Sequence, residues 1–164
     1  MIEITHFQSP IGRLTLIGLN QCVVRICFGY ESVEKLEALY MYQLKIKSIS
    51  GRNTNQYAEE QILSYLNGKC QYLDFPVLHF NTPFRKRVLE TEREIPYGKT
   101  RSYGEVAKMI GHPNASRAVG SANSENPLPL YYPCHRIIHS NGNMGRYGGG
   151  MKVKKFLLDL EQSL

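Results

Sequence analysis

The sequence predicts an α+β protein: a small N-terminal sheet-and-helix domain over residues 1–80, then a mostly helical domain over 81–164 that contains a helix-turn-helix. Three observations carry this reading. Period-two apolar runs crowd the first 28 residues, as half-buried strands require. Beyond residue 82 the apolar spacing turns helical, and the segments are punctuated by Gly and Pro. The charge divides at the same place. Residues 1–80 hold 7 Lys/Arg and 7 Asp/Glu, whereas 81–164 hold 13 and 7, so the entire net charge of +6 lies in the second half.

In the first domain, residues 2–7 and 12–18 (GRLTLIG) read as strands joined by a turn at Ser9-Pro10-Ile11-Gly12. Residues 22–28 (CVVRICF) supply a third strand, closed by Gly29. An amphipathic stretch is expected near 31–44, where Val33, Leu36, Tyr40 and Leu44 share a stripe, followed by a polar loop over 48–55. Residues 56–67 (QYAEEQILSYLN) form a helix stopped by Gly68, because glycine accepts the left-handed geometry at a helix C-terminus. Residues 69–82, irregular or extended, link the domains.

The second domain opens with Thr82 as a cap and Pro83 at the favoured first helical position; Phe84, Val88 and Leu89 supply the buried face. That helix ends before Pro96-Tyr97-Gly98. Ser102-Tyr103-Gly104-Glu105 is a capping box opening a helix to about Ile110, broken by Gly111-His112-Pro113. Asn114 is expected to cap a further helix over about 115–124. By spacing alone this outline is an ordinary helical hairpin as much as a helix-turn-helix. The composition of its second helix tips the balance. Ala115, Ser116, Ala118, Gly120, Ser121 and Ala122 leave Arg117 the only long side chain in the first turns. Glycine inside a helix costs about 1 kcal/mol against alanine. Such a surface makes sense where something must approach the backbone closely, as a nucleic acid edge would.

Composition excludes several classes. No apolar run is long enough to span a bilayer, and MIEITHFQSP lacks the basic and apolar regions of a secretory signal. The chain is therefore expected to be soluble and cytoplasmic (nuclear in a eukaryote), with no membrane partner. Cys22, Cys27, Cys70 and Cys134 are unevenly spaced and are expected as free thiols in a reducing compartment. The first three read as small buried hydrophobes. Cys134 differs: it follows Pro133, precedes His135-Arg136 and is flanked by turn-prone segments, so it reads as displayed at the edge of an element. A free thiol is mostly protonated at neutral pH and needs help to act as a nucleophile. His135 is adjacent, yet neighbouring residues in extended backbone point to opposite faces.

The run from SYGEVA through RAVG, NPLP, PCHR and GRYGGG to LLDLE strongly resembles the O6-alkylguanine-DNA alkyltransferases, the methylated-DNA–protein-cysteine methyltransferases, in order and spacing. The resemblance covers the second half from about Thr82; SPIGRLTLIG and SYLNGKCQYLDFPV resemble the family's N-terminal domain less specifically. It implies stoichiometric transfer of an alkyl group from guanine O6 in duplex DNA to Cys134, by a monomer. His135 would act through a bridging water and Glu161 would hold and polarise His135, which answers the geometric objection. Tyr103 and Tyr147 would be hydroxyl donors near the base. Arg117 would fill the place of a flipped nucleotide, with its helix in the minor groove. Asn126 would be the hinge to the Cys134 segment, and the 142–150 loop carrying Gly148 would close over the pocket. O4-alkylthymine as a second substrate and cooperative binding along DNA stay open.

No cofactor is expected, because the glycine-rich loop lacks both the Gly-x-Gly-x-x-Gly and the Gly-Lys-Ser/Thr patterns. No metal is expected either, since the Cys and His positions of zinc-bearing relatives are not reproduced. Three departures stand out: Tyr131-Tyr132 before the cysteine, Ser124-Glu125 where an acid would weaken DNA affinity, and Gly148 where some members carry serine or alanine. Two rivals are a lesion-flagging relative, which lacks the cysteine, and a helix-turn-helix regulator. The regulator needs base-reading side chains, and here the helix offers little beyond Arg117 and Asn123. A cysteine hydrolase gives no reason for the paired helices.

Overall fold

In a computed structural model, residues 2–29 and 53–162 are described, together with Lys35 and Ala38. The amphipathic stretch expected near 31–44 and most of the loop expected over 48–55 lie outside the described residues. The chain divides into two compact units, Met1–His79 and Phe80–Leu164.

In the first unit, β1 (Ile2–Ser9), β2 (Gly12–Leu19) and β3 (Cys22–Phe28) form an antiparallel sheet in that order. Gly12, at φ 99°, makes the first hairpin turn. Asn20 and Gln21, at φ 49° and 64°, make the second, with the two left-handed residues that match strand twist. The central strand is buried from Leu14 to Leu19. Helix α1 (Asn53–Leu66) packs on the sheet through Ala58, Ile62 and Tyr65. It starts three residues before the expected 56, because Asn55 is drawn into the sheet. Its amide donates to Glu3 O at 3.2 Å, Thr5 Oγ1 at 3.1 Å and Leu16 O at 3.4 Å. Gly68 ends α1 as expected: Lys69 N donates to Ser64 O and Gly68 N to Tyr65 O, both at 2.9 Å, a Schellman closure. Part of the segment read as linker runs along β3, where Val23 N donates to Pro76 O and Leu78 N to Val23 O.

The second unit holds α2 (Pro83–Arg93), β4 (Arg101–Ser102), α3 (Tyr103–Met109), α4 (Ser116–Ser124), a 3-10 turn at Cys134–Arg136, β5 (Ile137–Ile138) and α5 (Met151–Gln162). Thr82 caps α2, and the capping box of α3 closes with Ser102 N donating to Glu105 Oε2 at 2.7 Å and Glu105 N to Ser102 Oγ at 3.1 Å. Ala115, without a side-chain bond, occupies the N-cap of α4 in place of the expected Asn114. The core joins Val88, Ile95, Val106, Ile110, Val119 and Ile137. A short parallel pairing, Arg101 with Ile137 and Ser102 with Ile138, was not foreseen; it sets the start of α3 beside the segment that follows Cys134. The buried stripe of α5 is Lys154, Leu157 and Glu161, not the Val153–Leu157–Leu160 stripe the apolar pattern suggests. Two charged side chains inside made the stripe look turned by one position. Among the described residues, no helix is long and apolar enough to cross a membrane.

Candidate active site

The site is built around the segment from Asn126 to Arg136, which turns sharply before the cysteine. Leu130 sits at φ 73°, a left-handed conformation that a leucine adopts only under constraint. The constraint comes from Asn126 and the local backbone. Asn126 Nδ2 donates to Tyr132 O at 3.0 Å, its Oδ1 accepts from Leu128 N at 2.9 Å, and Tyr132 N donates to Leu128 O at 2.9 Å. The same Asn126 amide reaches Cys134 Sγ at 3.2 Å. One side chain thus braces both the turn and the thiol. The Tyr131-Tyr132 departure is also accommodated: the two rings meet edge to face, Tyr132 is buried, and the Arg93 guanidinium stacks 3.7 Å above the Tyr131 ring.

Cys134 opens the 3-10 turn and is 7 % exposed, so the sequence reading of a displayed residue is corrected: it is buried, with one face on a cavity. Burial chiefly pushes its thiol up to about 12; the Glu92 carboxylate adds to this, while the Asn126 amide and Lys154 oppose it. His135, wholly buried, engages Glu161 through Nε2 at 2.6 Å from Oε1, which leaves Nδ1 as the nitrogen turned away from the carboxylate. Burial holds the imidazole below its ordinary value, against the pull of Glu161. On Glu161, burial alone would raise the carboxyl, but His135 and Arg136 outweigh it through their hydrogen bonds and charges and hold it at about 2. The His135 charge is present only once the imidazole is protonated at low pH. With the imidazole neutral, the lasting cation beside that carboxylate is Arg136. Its Nε donates to Glu161 Oε2 at 3.0 Å, its Nη2 to Oε1 at 3.0 Å and its Nη1 to Ile95 O at 2.6 Å. Gly98 N adds a further bond to Oε2 at 3.1 Å.

The cavity measures about 740 Å³ and is lined by Tyr103, Arg117, Gly120, Cys134, Tyr147 and Gly148, among others. Its wall on α4 is the small-residue face, and Arg117 stands exposed at its margin. Tyr103 is half-buried against His139, ring centroids 5.2 Å apart; burial, then the fields of Cys134 and Glu92, raise its phenol. Tyr147 meets the His135 ring edge to face at 6.4 Å. Of the site residues the resemblance implies, Tyr103, Arg117, Cys134, Tyr147 and Gly148 line this cavity, and Asn126 touches the Cys134 sulfur. His135, next to Cys134 in the chain, is paired with Glu161 in the interior of the fold. Glu125, expected to weaken an anionic partner's binding, forms an exposed ion pair with Arg85 of α2. Sequence reasoning passed over Arg136, visible only as the last letter of PCHR. It also missed the buried Glu92 and Lys154, whose Nζ donates to Ile137 O at 2.6 Å.

Residues 83–163 match the family model described as 6-O-methylguanine DNA methyltransferase, DNA binding domain. Over 157 residues, 96 % of either chain, the sequence is 38 % identical to a methylated-DNA–protein-cysteine methyltransferase of Methanosarcina acetivorans. The crystal structure of Mycobacterium tuberculosis O6-methylguanine methyltransferase superposes with a TM-score of 0.86 at 36 % identity, over 99 % of this chain and 94 % of that one. The M. tuberculosis protein in complex with DNA does so with a TM-score of 0.80 at 35 % identity, over 98 % and 93 %. The likeness runs through both compact units and not only the one that holds the thiol. The chain belongs to the methylated-DNA–protein-cysteine methyltransferase family.

Proposed function

We propose that this protein repairs DNA directly, taking the alkyl group from O6-alkylguanine onto Cys134 once per chain. The observation that carries the reading is a cavity-facing thiol at Cys134 followed in the same 3-10 turn by His135, whose buried imidazole is coupled to Glu161 at 2.6 Å. In the reaction the sulfur attacks the alkyl carbon, the S–C bond forms, and the C–O6 bond breaks with its electron pair passing to guanine. The thiol proton goes by way of water to His135, and guanine gains a proton as it leaves, so the products are a thioether and an unmodified base.

The electrostatics support this order of events. A thiol held near 12 rests protonated, so its proton must leave as the substrate arrives. A neutral imidazole backed by an anionic Glu161 is equipped to take it, and the carboxylate stabilises the imidazolium that results. Tyr103 keeps its proton at neutral pH and is the donor to the departing base; Tyr147 supports the same pocket. A donor aimed at developing negative charge contributes roughly 3–4 kcal/mol in other enzymes.

Guanine O6 is reached only when the nucleotide leaves the stack, at about a few kcal/mol. The helix-turn-helix of α3 and α4 lies in the minor groove, Arg117 enters the vacated position, Asn126 is the hinge and the Gly148 loop closes the pocket. The protein acts as a monomer in the cytoplasm, where reducing conditions keep the thiol free.

The test is mass spectrometry after mixing with a duplex carrying one O6-methylguanine. One added methylene per chain, on the Cys134 peptide and absent in Cys134→Ser, is the expected result. Tight binding with no mass change would overturn the reading. Arg117→Ala is expected to slow repair in duplex by about tenfold or more while sparing transfer from the free base; equal losses on both substrates would remove its role in extrusion.

A further inference from the structure

Glu92 is a carboxyl with no place in the reaction as written. It lies on α2 and is 0 % exposed. Burying a carboxyl without a partner is costly, so its contacts call for an account. Asn123 of α4 supplies one. With the amide set so that its NH2 meets the carboxyl, Asn123 donates to both Glu92 oxygens, with Oε2 at 2.9 Å. Asn123 itself lines the cavity in front of Cys134. The link thus runs from a buried acid, through one amide, to the wall against which an alkylated base would sit.

The groups facing Glu92 come from four directions: Lys154 of α5, Tyr103 of α3, Asn123 of α4 and Cys134 of the 3-10 turn. Lys154 is committed to Ile137 O at 2.6 Å, so it offsets the carboxyl through its field.

Resting on the alkyl-acceptor reading above, we propose that Glu92 is a positioning residue of the alkyl-acceptor site: it fixes Asn123 in the cavity wall, and its charge opposes the Cys134 thiolate. Burial raises its carboxyl to about 8, with Lys154 and Asn123 pulling the other way. Below that pH Glu92 is a neutral acid, in which the carbonyl oxygen alone accepts from Asn123 and the hydroxyl is a donor. Above it, a second negative charge stands near the sulfur, and further thiolate formation is resisted.

The experiment compares wild type, Glu92→Gln and Glu92→Leu in two assays across pH 6 to 9.5. One follows iodoacetamide labelling of the Cys134 peptide, which reads the thiol without DNA. The other follows alkyl transfer from an O6-methylguanine duplex. The wild-type labelling rate is expected to bend below the thiolate slope near pH 8. Glu92→Gln, which keeps an acceptor for Asn123 and loses the charge, is expected to show no bend and to overtake wild type by about tenfold at pH 9.5. Glu92→Leu should label like Glu92→Gln but transfer from the duplex about tenfold more slowly, because Asn123 has lost its anchor. Parallel labelling profiles for wild type and Glu92→Gln would overturn the charge role, and equal duplex transfer by the two variants would overturn the anchoring role. Should Glu92→Leu fail to fold, the wild-type and Glu92→Gln profiles still decide the charge role. Asn123→Ala then takes its place for the anchoring role: duplex transfer is expected to fall about tenfold, and unchanged transfer would overturn that role. Absence of transfer by wild type itself would sink the repair reading and leave the labelling comparison intact.

Discussion

Glu161 shows how much one residue can hold. It accepts from His135 at 2.6 Å, from Arg136 and from the Gly98 backbone, all in a place 3 % exposed. Glu161→Gln is expected to slow alkyl transfer by about 100-fold, since a neutral amide cannot stabilise the imidazolium. It should also destabilise the protein by about 3–5 kcal/mol, because Arg136 is left buried without its counter-charge. Thermal melting and single-turnover kinetics check the two effects separately. At this scale the sequence was legible where chemistry is written in adjacent letters. Cys134 and His135 stand together in PCHR, and resemblance to the family placed Glu161. Glu92 had no such signal, because α2 reads as an amphipathic helix with Glu92 as one more acidic residue among Glu90 and Glu94. Its inward turn follows from packing, which no single-residue pattern displays.

The elements that shape the cavity make their own tests. Gly120 on α4 has room for a methyl group: an added Cβ would lie 3.8 Å from the Tyr103 ring, an ordinary contact. Gly120→Ala is therefore expected to leave the fold intact, or stabilise α4 by up to about 1 kcal/mol. It should weaken duplex binding if the bare helix face exists to meet a backbone outside the protein. Titration of labelled duplex alongside thermal melting separates these outcomes. Gly145 is the opposite case. It sits at φ 73°, and a Cβ there would come within 3.0 Å of the Tyr103 hydroxyl and 3.1 Å of His139 Nε2. Gly145→Ala is expected to cost about 1–3 kcal/mol and to slow transfer by displacing Tyr103; unchanged kinetics with a lowered Tm would free Tyr103 of its assigned part. Caps and glycine stops were readable because they are local: Thr82, the Ser102–Glu105 box and Gly68 stand where their chemistry requires. The β4–β5 pairing was not, because two-residue strands separated by more than thirty positions carry no periodicity.

For the molecule as a whole, two buried carboxyls give stability opposite slopes with pH. Glu161 is held below its unfolded value, so its contribution is complete above about pH 4.5 and is lost as pH falls toward 2; it amounts to on the order of 3 kcal/mol. Glu92 is held above its unfolded value, so the native state binds the extra proton and stability declines as pH rises from about 4.5 through 8. The Tm of wild type should thus lag that of Glu92→Gln by a margin that widens from pH 5 to pH 8. A constant margin would show that Glu92 keeps its ordinary acidity in the fold. The division of charge was legible from composition, and the unit that carries the net +6 is the one that holds the cavity. Duplex affinity is accordingly expected to fall steeply with added salt. The sheltered sulfur has one more consequence. Peroxides and stray electrophiles react with exposed thiolates, and Cys134 at rest is neither exposed nor ionised. On the proposed single-use reaction, a molecule inactivated by its first encounter needs a long idle lifetime, and a buried, protonated sulfur reacts more slowly in the interval than an exposed thiolate would.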